Sequence, residues 1–182
     1  INFILFYIIC IFYIIYIFYI ICIFYIICIF YMKEEISWDC YFIHLAHSIK
    51  MKSSDPKIKK GGILASDDYK VKSTGYNDVP KEDYNELDWC NRDLLDYYLV
   101  SAEVNCILNA DPLVEFETST LYLTHSPSVY SIKTMAAAGI KKIIYDHCCG
   151  DIVLVRNICN YFMIEIIKFR PKDKVLIGSS TF

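Results

Sequence analysis

The chain has 182 residues, 55% of them hydrophobic, and a formal net charge of −3 at pH 7. That near-neutral balance excludes a polyanion-binding surface read from charge alone. The one basic cluster, Lys57-Ile58-Lys59-Lys60, reads as a solvated turn, so no nucleic-acid partner is expected.

All charge begins at Lys33, which splits the chain in two. Residues 1–31 repeat a six-residue unit, FYIICI or FYIIYI, ending in FY before Met32. The stretch is long enough to span a bilayer, which takes about 20 apolar residues as a helix. A six-residue step favours no single helix face, and Ile, Phe and Tyr prefer strands. The flank Lys33-Glu34-Glu35 gives no positive-inside cue, and neither a basic n-region nor a small-residue cleavage site is present. Two readings stand: a translated simple repeat ahead of a start at Met32, or a membrane anchor. Neither carries chemistry, and a membrane is a partner only under the second.

From Met32 the chain runs for about 150 residues, the size of one domain able to bury a core without disulfides or metals. Residues 32–182 are read as that domain. Ser37 caps a helix through Met51, with Trp38, Tyr41, Phe42, Leu45, Ala46 and Ile49 at helical spacing, ended by Asp55-Pro56. Gly61–Ser66 and Tyr69–Thr74 read as a strand pair turned at Asp67-Asp68. Residues 75–98 form a long polar and aromatic connection, a length that usually carries function. A helix over Val100–Asn109 ends at Asp111-Pro112. Then come a strand (120–124), a helix (128–138) stopped by Gly139, and a strand over Lys142–Tyr145. Asp151–Tyr161 reads as helix and Phe162–Phe169 as strand. Such alternation implies an α/β sandwich with part of its sheet parallel.

The cysteines from Met32 onward are Cys40, Cys90, Cys106, Cys148, Cys149 and Cys159, with no CxxC pair. Free thiols in a cytoplasmic protein are the expectation.

Two helix starts draw attention. Ser101-Ala102-Glu103 opens one, and Pro127-Ser128-Val129-Tyr130-Ser131 opens another. Zinc deaminases of nucleobases carry H-x-E and later P-C-x-x-C on two such starts. Around them lie Trp38-Asp39-Cys40-Tyr41-Phe42, Ser53-Ser54-Asp55-Pro56 and Gly75-Tyr76-Asn77-Asp78-Val79-Pro80. Leu87-Asp88-Trp89, Tyr97 to Asn105, and Ala138 to Tyr145 follow in order. Taken together, residues 38 to 145 resemble the deoxycytidylate (dCMP) deaminase family. The resemblance implies a cytidine deaminase-like fold: a three-layer α/β/α sandwich on a mixed sheet of about five strands. It also implies a zinc-dependent hydrolytic deamination of dCMP to dUMP. In that reaction one imidazole and two thiolates hold the metal, its water ionises near pH 7, and a glutamate shuttles the proton.

This chain departs from the pattern at the ligands. The imidazole position is Ser101 and the thiolate positions are Ser128 and Ser131. Neutral hydroxyls are poor zinc ligands, so no zinc is expected there, and Glu103, the family's proton shuttle, is expected to be idle. The expected function is that of a catalytically inactive member, a nucleotide-binding or regulatory subunit. The alternative is an active dCMP deaminase with a rearranged metal site.

The resemblance implies substrate contacts by Tyr76, Asn77 and Asn105. Asp78 and Glu82 stand where an added carboxylate would repel a phosphate. Expected partners are dCMP or a related nucleotide, and further subunits as a homo-oligomer or beside an active paralogue. His44, His47, His125 and the run His147-Cys148-Cys149 lack metal-site spacing and read as surface or packing residues. A serine hydrolase using His125 lacks a Ser–His–acid arrangement that the sequence can place.

Overall fold

The computed structural model describes residues 13, 15–27, 36–80 and 88–170. These divide into two compact units, one up to Ile36 and one from Ser37 onward. In the first, residues 15–27 are helical and their side chains exposed. The strand preference of Ile, Phe and Tyr is overridden there. Strand propensity is a preference for packing on neighbouring strands, worth about 1 kcal/mol at most, and a helix satisfies its backbone without a neighbour. Among the described residues no helix is long and apolar enough to cross a membrane. Much of the repeat (1–12, 14 and 28–31) lies outside the described residues.

The second unit is built on five strands: β1 (Gly61–Ser66), β2 (Val71–Tyr76), β3 (Ser119–His125), β4 (Lys142–His147) and β5 (Glu165–Lys168). Their order is β2-β1-β3-β4-β5. β1 is antiparallel to both β2 and β3, whereas β3, β4 and β5 run parallel. The sheet is therefore mixed, as expected.

Side chains alternate across each strand, and both faces are covered. Ile63, Ala65, Tyr122 and Ile144 meet Phe42, Ile43 and Ala46 of helix α1 (Trp38–Ile49). Leu64, Leu121, Leu123, Ile143 and Tyr145 face the other way. They pack on α3 (Ala102–Leu108), α4 (Val129–Ala138) and α5 (Ile152–Tyr161) through Cys106, Ile132, Met135, Val155 and Cys159. Burial on both faces explains why these strands read as continuous apolar runs. The result is the three-layer sandwich.

Local chemistry sets the element ends. Ser37 Oγ accepts from Cys40 N at 3.3 Å, capping α1 as expected. Gly139, at φ 96°, ends α4 in the left-handed conformation that glycine adopts freely. Pro127 lies one residue outside the α4 cap, Ser128, rather than in the first turn.

Three expectations shift. β2 begins at Val71, not Tyr69, because Tyr69 (φ 60°) belongs to the turn; it then continues through Gly75 and Tyr76, which pair with Gly62 and Gly61. The last strand is only Glu165–Lys168, since Phe162 caps α5 and Met163 is left-handed (φ 58°). The 75–98 connection contains a further helix, α2 (Arg92–Tyr98), and residues 81–87 lie outside the described residues.

Helix α3 rests directly on β2. A Cβ on Gly75 would stand 2.4 Å from both Ala102 O and Cys106 N, so only glycine permits this approach. Ser73 Oγ donates to Cys106 O at 2.6 Å, and Asn109 Nδ2 to Thr74 O at 3.1 Å. These contacts fix where α3 begins.

Candidate functional site

Ser101 caps α3 and Ser128 caps α4, and Glu103 in the first turn of α3 links the two starts. Glu103 is only 4% exposed. Its Oε1 accepts from Ser128 N at 3.1 Å and from Ser131 Oγ at 2.5 Å. Ser128 Oγ and Ser131 Oγ stand 2.6 Å apart, and Ser128 Oγ also accepts from Ser131 N at 3.2 Å. Ser131 has a single hydroxyl proton; given to Glu103, it leaves Ser128 to supply the proton between the two serines. Ser101 Oγ differs. It is the buried side-chain polar atom that lacks a hydrogen-bond partner among the described residues.

Ser128 and Ser131 therefore come together with Glu103 as hydroxyls, while Ser101 stands at the start of the helix that carries Glu103. Two are committed to each other and to a carboxylate, and the third is orphaned. A zinc ion needs imidazole or thiolate donors in this geometry. The donor set does not fit it. Among the described residues no hydrogen bond joins a histidine to this cluster: His125 Nδ1 lies 3.0 Å from Thr124 Oγ1, its own neighbour.

The expected nucleotide contacts are structural in their observed bonds. Asn77 is 5% exposed. Its Oδ1 accepts from Lys60 N at 2.6 Å, its Nδ2 donates to Ile58 O at 2.9 Å, and its carbonyl accepts from Ser53 Oγ at 2.7 Å. It clamps the 53–60 loop to the end of β2. Asn105 Nδ2 donates to Tyr76 O at 2.7 Å, tying α3 to the same strand end, and Tyr76 is half-buried. Asp78 accepts from the Ser54 hydroxyl and from Val79 N through one carboxylate oxygen, and forms an isolated bridge with Val100. Glu82 lies outside the described residues.

Within this loop Asp55 is fully buried and receives Arg92 Nη1 at 2.8 and 3.0 Å, with Lys57 N and Ile58 N also donating. Burial pushes the Asp55 carboxyl up, but the Ile58 and Lys57 amides and the Arg92 guanidinium outweigh it and hold the pKa below its usual value. The sequence offered Asp55 only as a helix stop; its partner is 37 residues away.

The histidines are not scattered. His125 and His147 are register partners at the ends of β3 and β4, with rings 5.6 Å apart. His47 Nε2 and His147 Nδ1 lie 2.8 and 3.0 Å from Asp146 Oδ2. Burial, then the charges of Lys60, His147, Lys50 and His47, push the His125 imidazole down to about 4. His44 stays apart, exposed beside Cys40. Sequence reasoning missed Asp146 and this convergence. Ser126 was missed too: its N donates to His147 O at 2.8 Å and its hydroxyl bonds the Cys149 backbone at 2.8 and 2.9 Å. A groove of about 660 Å³ between the β1–β2 turn and residues 111–119 includes none of the three serines or Glu103.

A family model described as the cytidine and deoxycytidylate deaminase zinc-binding region matches residues 36–147. The human deoxycytidylate deaminase is 24% identical over 160 residues, covering 78% of this chain and 85% of that protein. The deoxycytidylate deaminase of Mycobacterium phage D29 is 30% identical over 122 residues, 59% of this chain and 93% of that protein. Among solved structures, the dCMP deaminase of cyanophage S-TIM5 in apo form matches with TM-score 0.60 at 20% identity, covering 75% of this chain and 100% of that one. A second structure of the cyanophage protein holds dCMP and dUMP. The structural likeness bears on the fold, and the matched model carries the family: the chain belongs to the cytidine and deoxycytidylate deaminase family.

Proposed function

We propose that this chain is a catalytically silent dCMP deaminase-like protein, with residues 32–182 as its functional domain. The observation that carries this reading is the closed hydroxyl network of Ser128, Ser131 and Glu103, with Ser101 Oγ left unpartnered. Without imidazole and thiolates, no zinc-bound water forms beside Glu103, so the carboxylate has no activated nucleophile to deprotonate. Glu103 acts instead as an acceptor that ties the start of α4 to α3.

The role left is binding. Tyr76, Asn77 and Asn105 border the place where the family's nucleotide would sit, and dCMP or a related nucleotide is the ligand class. Asp78 disfavours a phosphate there, so affinity is weak. A second copy, or an active paralogue, is the partner for which such a subunit is suited. Its compartment is cytoplasmic unless residues 1–31 anchor it. The test is turnover: the purified chain, supplied with zinc, produces no dUMP from dCMP. Production of dUMP that Glu103→Gln abolishes would overturn the reading.

A further inference from the structure

Three of the chain's four histidines meet at one place, from three separate segments. His47 comes from α1, His125 from the end of β3, and His147 from the end of β4 beside Asp146. His47 Nε2 and His147 Nδ1 are both aimed at one carboxylate oxygen, Asp146 Oδ2, at 2.8 and 3.0 Å. Among the described residues this is the one place where ligand atoms of three His, Cys, Asp or Glu side chains lie within 4.8 Å of one another.

We propose that His47, Asp146 and His147 form a binding site for a divalent transition-metal ion, with the His125 ring beside that of His147. The spacing carries the argument first. Ligand atoms held about 2.1 Å from a tetrahedral ion stand about 3.4 Å apart, so a small adjustment of three atoms that already lie within 4.8 Å of one another, two pairs at 2.8 and 3.0 Å, admits one. The donor type selects the ion. Two imidazoles and one carboxylate suit zinc, cobalt, nickel or copper, whereas magnesium and calcium prefer oxygen alone.

Access is open, because His147 is exposed while His47 and Asp146 are half-buried. Without an ion the two imidazoles are held by Asp146, and His147 Nδ1 also lies 3.3 Å from the Thr124 carbonyl. Coordination replaces these bonds and ties α1 to the ends of the parallel strands. The site shares no residue with the serine cluster and its role is structural, so its test does not depend on turnover.

The experiment is calorimetric titration of the full-length chain, stripped by chelator, with ZnCl₂. One equivalent should bind per chain, at micromolar affinity or tighter. His47→Gln and His147→Gln should each weaken binding by about 100-fold or more, beyond the 10–100-fold that loss of an outer-shell partner costs. His44→Gln, on the same helix, should leave it unchanged. If a variant does not fold, the imidazole proton resonances of the wild-type chain serve instead: zinc should shift those of His47 and His147 and not that of His44. Absence of saturable binding, binding undiminished in both histidine variants, or zinc that shifts neither resonance would overturn the proposal.

Discussion

Restoring the family's donors tests whether the scaffold still presents them correctly. The perturbation is Ser101→His with Ser128→Cys and Ser131→Cys. In both the parent and the triple variant, His47→Gln removes the other proposed metal site from the comparison. The serine oxygens are 2.6 Å apart, whereas two thiolates on one zinc at about 2.3 Å stand about 3.8 Å apart. The longer C–S bonds and a modest rotation cover that difference.

The metal-free variant loses the hydroxyl donation from Ser131 to Glu103 and keeps the Ser128 amide. A hydrogen bond to a charged acceptor contributes about 2 kcal/mol, equivalent to about 4–8 °C in Tm for a domain of this size. Zinc at about 1,000 times its Kd restores about 4 kcal/mol by mass action, or about 8–16 °C. Scanning calorimetry with and without chelator, together with zinc stoichiometry, reads both steps. The expected result is one added equivalent of zinc and a rise in Tm that the parent lacks. A triple variant that unfolds cooperatively but takes up no added zinc would refute the reasoning, because the two helix starts would no longer hold the family's geometry.

Glu103→Gln leaves a neutral acceptor for Ser128 N and Ser131 Oγ and should lower stability by about 1 kcal/mol; an unchanged urea midpoint would remove the structural role given to this carboxylate. Ser101→Ala deletes a buried hydroxyl that has no partner, so urea unfolding should show equal or greater stability, and a loss above about 1 kcal/mol would point to a bond not seen here. Arg92→Gln should cost about 2 kcal/mol at pH 7, less than for a fully enclosed pair because Arg92 is one-third exposed and two backbone amides remain. The folded-state pKa of Asp55 is lowered, so its contribution is complete above the unfolded value near 4 and fades as pH falls through the folded one; the gap between wild type and variant should narrow below about pH 4. A chain beginning at Met32 should unfold cooperatively by circular dichroism; a soluble chain without a cooperative transition would refute an independent domain.

The layer architecture was legible because its signals are local. Ser37 announces α1 by a side-chain cap, Gly139 ends α4 by a left-handed turn, and Leu121-Tyr122-Leu123 spells a strand buried on both faces. Boundaries were lost where the backbone turns with ordinary residues, as at Tyr69 and Met163, whose positive φ no composition rule signals. At the serine cluster the family pattern pointed to Ser101, Ser128, Ser131 and Glu103, but not to the unpartnered state of Ser101 Oγ, which only the folded chain reveals. The histidine–aspartate cluster was invisible for a plainer reason. His47 and Asp146 are 99 residues apart, and only the sheet order brings them together.

The contact of α3 with β2 at Gly75 has a bearing on how the frame around the serine cluster holds its shape. Where side chains separate two elements, a change of residue lets them settle into a new spacing. Here backbone meets backbone, and Gly75 is itself locked opposite Gly62 in the ladder with β1. The position of Glu103 is thus set in large part by strand register, with the Ser73 and Asn109 side-chain bonds holding α3 in place. Ligands on such a frame are free to change one after another without the frame drifting, since the information that places them resides in the main chain. A fold built this way holds the outline of its pocket whatever side chains line it.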